Sequence, residues 1–198
     1  GPFARYSDLL VQACVEQGTH YTDITGENHW VRTLIDKHHE NASLKGVRIV
    51  PSCGYDSIPS DIGTFFAVSQ FNKPVKRVEL FQEMQGGASG GTIETAFSMG
   101  KLSKEMRDPF LLNPENSSTE EQRKYSKDMM RIEKIEELDG WSGMFVMAAG
   151  NTRVVRRTAA LMEQNQNSYG ANFTFGEYGL HKTKKLARRA SYGLILGF

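Results

Sequence analysis

The sequence predicts an α/β protein, in which a parallel strand-helix-strand unit leads into an α+β region built on a mixed sheet. Three observations predict it. Residues 20–24 and 47–50 are short β-type runs separated by about 15 residues of helical periodicity, and a crossover of that kind imposes right-handed, parallel pairing. Cys53-Gly54-Tyr55-Asp56-Ser57-Ile58-Pro59-Ser60-Asp61 follows the second run and reads as strand, sharp turn and helix. Beyond Asn72-Lys73-Pro74 the pattern changes to strict alternation over residues 75–84, the mark of a half-exposed strand in a different sheet.

The elements follow in order. Residues 5–17 place Tyr6, Leu9, Leu10, Ala13, Cys14 and Gln17 at three- and four-residue intervals, the spacing of one helix face, and Gly18 ends it. The strand at 20–24 ends in Thr25-Gly26-Glu27. A helix over 28–43 puts Trp30, Val31, Leu34, Ile35, His38 and Ala42 on one side, and Lys45-Gly46 closes it. Parallel pairing then brings Gly26-Glu27 and the loop from Cys53 to Ser57 to the same sheet edge, where open α/β sheets place ligand chemistry. Gly54 permits a backbone angle that other residues resist, Ser57 is a helix cap and Pro59 suits the first turn. The helix over 60–71 is expected to turn Ile62, Phe65, Phe66 and Ser69 inward.

In the second region, the strand over 75–84 divides Val78, Leu80 and Met84 from Arg77, Glu79 and Glu83. Gln85-Gly86-Gly87-Ala88-Ser89-Gly90-Gly91-Thr92 precedes a further helix, and such a loop lets backbone N–H groups approach an anion or simply serves a crowded strand exit. Residues 107–140 carry six Lys and Arg against nine Asp and Glu, with few apolar anchors, and read as a charged surface insertion or a flap. Asn151-Thr152 caps a helix on which Val154, Val155, Thr158, Leu161 and Met162 face inward. Arg153, Arg156 and Arg157 on that helix suit either surface ion pairs or an anionic substrate group. Residues 172–178 alternate as another strand. Residues 181–198 run from Lys182, Lys184, Lys185, Arg188 and Arg189 into an apolar end, a pattern shared by interfacial membrane helices and by helices that dock on further chain.

Composition narrows the function. A hydrophobic fraction of 39% and a charged fraction of 24% describe a globular chain, and the net charge of +1 gives no bulk attraction to nucleic acid. Two cysteines, Cys14 and Cys53, make no disulfide framework and fit a reducing, cytoplasmic setting. His29, His38 and His39 lack ligands at metal spacing, so no metal site is expected. No P-loop and no G-x-G-x-x-G after a strand occurs.

Gly1-Pro2-Phe3, residues 13–27 and the nonapeptide at Cys53 resemble, in order and spacing, the saccharopine dehydrogenase-like oxidoreductases, which include trans-acting enoyl reductases of lipid biosynthesis. Ser89-Gly90-Gly91-Thr92, residues 153–158 and residues 169–178 extend the resemblance over nearly the whole chain. The resemblance implies that residues 1–60 are the C-terminal portion of a Rossmann-type NAD(P)-binding domain, lacking its Gly-rich half. Residues 61–198 would be an α+β substrate domain carrying the insertion at 107–140. It implies NADP or NAD as cofactor, bound by Gly1, Pro2, Phe3, Asp23, Gly26, Glu27, Gly54 and Ser57. Tyr55 and Asp56 would orient substrate or donate a proton, and Gly90, Gly91 and Thr92 would meet the substrate. The expected reaction is enoyl reduction of a lipid-linked or polyketide-type acyl group, by a fragment inactive alone. An amino-acid dehydrogenase of the saccharopine type, or a non-catalytic scaffold at a membrane or lipid droplet, are the alternatives. Peripheral membrane contact through 181–198 and a homodimer are further expectations, and no nucleic-acid partner is expected.

Overall fold

The computed structural model describes residues 2–83, 107–126 and 131–196. Gly1, Gly90, Gly91 and Thr92, together with Met84 and the helix expected after Thr92, lie outside the described residues.

The chain opens with helices α1 (Phe3–Tyr6) and α2 (Asp8–Gln17), and Gly18 closes α2 in the left-handed conformation at φ 70°. Strand β1 (Tyr21–Thr22), helix α3 (Asn28–Leu44) and strand β2 (Ile49–Val50) form the expected parallel unit, with Tyr21 opposite Ile49 and Thr22 opposite Val50. Its core is Val11, Tyr21, Trp30 and Leu34, with Phe3 stacked on Trp30 at 5.9 Å. α2 is rotated relative to the expected face: Val11 and Val15 are buried, while Tyr6, Leu9 and Leu10 are exposed. Apolar residues lie on several sides of this helix, so periodicity alone does not select the face.

Helix α4 (Ile58–Ser69) has Pro59 in its first turn, as expected, but its orientation is the reverse of the expected one. Ser60 and Thr64 are buried, whereas Ile58, Ile62, Phe65 and Phe66 are exposed. The cause is a set of specific polar bonds. Ser60 donates to Glu177 and Asp61 accepts from Thr158 at 2.9 Å, while the buried Thr64 hydroxyl is satisfied within the helix by the Ser60 carbonyl at 2.6 Å. Satisfied buried polar groups hold the polar face inward against the pull of the apolar one.

The second sheet contains β3 (Arg77–Gln82), β4 (Lys134–Ile135), β5 (Gly140–Gly143) and β6 (Thr174–His181) in the order β3-β6-β5-β4. β3 runs parallel to β6 while β5 is antiparallel to both its neighbours, so the sheet is mixed, as the sequence predicts. Between β3 and β4 lies a short helix, α5 (Glu120–Tyr125), whose N-terminus carries a capping box between Thr119 and Gln122. Helix α6 (Ala148–Gln164) packs on β6 around Val155, Tyr169, Phe173 and Phe175, with Val78 and Leu80 of β3 against them. α6 begins at Ala148, so Asn151 lies inside the helix rather than capping it. The last helix, α7 (Lys184–Leu196), sits on β5 and β6 by burying Ala187 and Ser191, and the Ser191 hydroxyl accepts from the Met144 N–H at 2.8 Å. No described helix is long and apolar enough to cross a membrane.

The described parts of 107–140 are more tightly held than a surface insertion. Phe110 and Leu112 are buried, and residues 134–143 supply β4 and β5. The three arginines of α6 supply the hold. Arg153 donates to the carbonyls of Arg107 and Asp108, Arg156 to those of Pro109 and Phe175, and Arg157 to that of Leu112. Among the described residues, the bonds of these arginines run to backbone carbonyls. A guanidinium carries five donors in a rigid fork, which suits it to collecting carbonyls from an irregular segment.

Candidate active-site edge

The carboxyl ends of β1 and β2 are joined through one side chain. Asp23 is buried, and its carboxylate accepts from the Tyr21 hydroxyl (2.8 Å), the Thr25 N–H (2.9 Å) and the Ser52 N–H (3.1 Å). The Asp23 carbonyl accepts from the Cys53 N–H at 2.7 Å, and the Ser52 hydroxyl donates to the Thr25 carbonyl at 2.8 Å. Burial and the Asp23 carboxylate together push the Tyr21 phenol well above its ordinary range, so it stays a donor. Both loops are thus fixed to each other by the Asp23 carboxylate, the Asp23 carbonyl and the Ser52 hydroxyl.

Glu27 extends this framework to the N-terminus of the chain. Its carboxylate is buried and accepts from the Phe3 N–H (2.7 Å) and the Ala4 N–H (3.3 Å), placing negative charge where α1 presents unpaired donors. Gly26 precedes it, half-buried. The structure therefore brings Pro2, Phe3, Asp23, Gly26, Glu27, Gly54 and Ser57 to one edge, with the Asp23 and Glu27 carboxylates turned onto the chain's own backbone. Tyr55 and Asp56 are the exposed members of the loop, Tyr55 at 90%.

Two local expectations change. The left-handed backbone lies on Ser52 (φ 63°), and Gly54 instead lies in a tight spot, where a Cβ would stand 3.1 Å from the Ile24 Cβ. Ser57 occupies the helix N-cap without a capping bond. Its hydroxyl instead donates to Asn151 Oδ1 on α6 at 3.1 Å.

That contact leads to the polar centre joining the parallel unit to the second sheet. Asn151 is buried and donates to Glu177 Oε1 (3.2 Å) and Ser60 Oγ (3.3 Å). Glu177 Oε1 also accepts from Ser60 (2.7 Å) and Gln82 (3.1 Å). Glu177 Oε2 is buried with no hydrogen-bond partner among the described residues. Burial pushes the Glu177 carboxyl up, and the bonds from Ser60, Gln82 and Asn151 oppose that push. Asn28 ties the same region by donating to the Gly150 carbonyl at 3.0 Å. Sequence reasoning missed Asn151, Ser60 and Glu177 as a group. One signal for Glu177 was present: it shares the parity of Phe173 and Phe175, the core-facing residues of its strand.

Behind the edge lies a cavity of about 420 Å³ between α3, β2 and α6, walled by Leu34, Val47, Val154 and Leu161. Its polar groups include Asp61, Thr158 and Arg157. Burial raises the Asp61 carboxyl to about 6, against the pull of the Thr158 hydroxyl bond. Burial and the neighbouring Arg32 lower Arg157. Cys14 and Cys53 are free thiols, and among the described residues no group of three or more His, Cys, Asp or Glu comes together to hold a metal ion.

No family model matches the sequence, and no solved structure matches it. A protein named trans-acting enoyl reductase from Mycobacterium ulcerans (strain Agy99) is 34% identical over 216 residues, an alignment that takes in 100% of this chain and 51% of the relative. Proteins of the same name from Mycobacterium tuberculosis (strain H37Rv) and Mycobacterium bovis (strain BCG / Pasteur 1173P2) are each 34% identical over 197 residues, covering 89% of this chain and 46% of their own. The chain spans about half the length of the curated relatives it matches. Along nearly all of its own length, this chain is homologous to proteins named trans-acting enoyl reductases.

Proposed function

We propose that the chain supplies the strand-end loops and the far wall of an NAD(P)-dependent enoyl reductase of the saccharopine dehydrogenase-like type, acting on a lipid-linked or polyketide-type acyl substrate. The similarity to named enoyl reductases supports the reaction class. The observation that carries the placement is the Asp23 junction, which holds both strand-end loops open at one edge beside the α4 N-terminus.

Reduction of an activated carbon-carbon double bond needs a hydride at one carbon and a proton at its neighbour, and NAD(P)H would supply the hydride. The residues present fit a cofactor edge in a particular way. Asp23 and Glu27 shape the backbone of the edge, Gly54 lets the loop sit close against Ile24, and the exposed Tyr55 and Asp56 are the side chains free to meet cofactor or substrate. Tyr55 and Asp56 therefore remain our assignments for orienting the substrate or delivering the proton.

The test is a fluorescence titration of NADPH and NADH into the natural full-length protein and its Asp56→Ala and Tyr55→Phe variants, followed by turnover of an enoyl thioester. Cofactor binding by the full-length protein, with turnover reduced by at least about 100-fold in one of the two variants, is the expected result. A full-length protein that binds neither nucleotide would overturn the reading.

A further inference from the structure

Two neighbouring residues of α6 grip the helices that follow the two strand-end loops. The Gly150 carbonyl accepts from Asn28, the first residue of α3, at 3.0 Å, and Asn151 Oδ1 accepts from Ser57, at the N-cap of α4, at 3.1 Å. Asn28, Ser57 and Asn151 are all buried, Asn151 at 1% exposure. Asn28 directly follows Glu27, and Ser57 directly follows Tyr55 and Asp56, so both loops end on one turn of a helix that packs on the second sheet.

The Asn151 amide is oriented from behind. An amide has one donating and one accepting end, whereas a carboxylate oxygen accepts. Glu177 Oε1 collects donors from Ser60, Gln82 and Asn151 at 2.7, 3.1 and 3.2 Å, so the Asn151 nitrogen faces Glu177 and its oxygen is left for Ser57. With Oε1 so occupied, a proton taken up by Glu177 goes to Oε2, which has no hydrogen-bond partner among the described residues, and the arrangement holds in either state.

The loop between is short and closed. The Cys53 N–H is bonded to the Asp23 carbonyl at 2.7 Å, and the Ser57 and Ile58 N–H groups both donate to the Gly54 carbonyl, at 3.2 and 3.0 Å. Asp23 thus fixes where the loop begins and Asn151 where it ends, with Tyr55 and Asp56 exposed between them.

We propose that Asn151, oriented by Glu177, is a positioning residue for Tyr55 and Asp56, a role that rests on the enoyl reductase reading and on its assignment of those two side chains. Asn151 is too deeply buried to meet a substrate and acts through the Ser57 hydroxyl. A displacement of about 1 Å in a reacting group is enough to cost about 100-fold in rate.

Asn151→Ala in the natural full-length protein is the first variant. Ser57→Ala is a milder second one, which removes the same bond and keeps the contact between Asn151 and Glu177. Hydrogen exchange followed by NMR needs no turnover. Exchange of the amides at positions 57 and 58 should rise by about 10-fold or more in both variants, while the Tyr21 amide, bonded to the Arg48 carbonyl at 2.9 Å, stays within about 2-fold. With NADPH and an enoyl thioester, kcat should fall by about 10- to 100-fold and the KM for NADPH should stay within about 3-fold. The two losses should not multiply in the double variant, because one bond is removed either way. Gly170→Ala, a destabilising change beside the C-terminal half of α6, should keep the wild-type kcat.

Unchanged exchange at positions 57 and 58, or a rise shared equally by Tyr21, would overturn the proposal. A loosened loop with full turnover would also overturn it, and the enoyl reductase reading would stand if Tyr55→Phe or Asp56→Ala loses turnover. Full turnover by both Tyr55→Phe and Asp56→Ala, or a full-length protein that binds neither nucleotide, would instead remove that reading's assignments and the positioning role with them.

Discussion

The Ser60 hydroxyl donates a 2.7 Å hydrogen bond to Glu177 Oε1 across 117 positions of sequence, joining the helix after the parallel unit to the central strand pair of the mixed sheet. A neutral donor to a buried carboxylate is worth more than an ordinary hydrogen bond, about 1.5–3 kcal/mol. Ser60→Ala is therefore expected to cost about 2 kcal/mol in urea unfolding at neutral pH. Because Asn151 and Gln82 share the same oxygen, Ser60→Ala and Asn151→Ala should be non-additive by about 1 kcal/mol in a double-mutant cycle. Strict additivity would mean that the three donors act separately.

Asp61 makes stability depend on pH in an unusual direction. Its carboxyl is raised from 3.8 to about 6, so between those values the folded state binds more protons than the unfolded chain. Stability contributed by the neutral carboxyl is then fully present below about pH 4 and lost as pH rises through about 6. Complete ionisation would cost on the order of 3 kcal/mol. Asp61→Asn should stabilise the protein at pH 8 and leave it nearly unchanged at pH 4. Equal effects at both values would show that the carboxyl is solvated.

Gly170 is the most constrained glycine of the described fold. Its φ is 150°, and a Cβ there would lie 2.5 Å from the Val75 carbonyl oxygen and 2.9 Å from its nitrogen, both backbone atoms that cannot swing away. Val75 is also bonded to the Tyr169 carbonyl at 2.7 Å, so the two segments cannot separate cheaply. Gly170→Ala is expected to cost more than about 2 kcal/mol. Gly18→Ala, where only the positive φ opposes a side chain, should cost about 1 kcal/mol, and urea midpoints compare the two.

Much of the parallel unit was legible because its signals are local. Helical spacing over 28–43, short flanking β runs and a Gly-containing turn give the crossover, and the crossover alone places Gly26-Glu27 beside the loop at Cys53. The switch to period two after Pro74 correctly marked the second sheet. What was not legible depends on partners distant in sequence. Helical spacing on α4 favours its apolar side as the buried one, whereas Glu177 and Asn151, distant in sequence, bond Ser60 and hold the other side inward. The arginines of α6 were read by charge, whereas their carbonyl acceptors belong to an irregular segment that leaves no periodic trace. Asn151 was read as a cap because its type favours helix starts, but the helix begins three residues earlier.

The Asp23 carboxylate has a consequence for recognition kinetics and cost. One side chain acts as a rivet through Tyr21, Thr25 and Ser52, so two loops that would otherwise fluctuate independently share a single set of positions. A molecule arriving at that edge meets a surface already set and is spared the entropy of arranging it, about 0.5–1.5 kcal/mol for each group that would otherwise be immobilised on binding. Loosening the rivet would leave the exposed side chains of Tyr55 and Asp56 unaltered and still set both loops free to move.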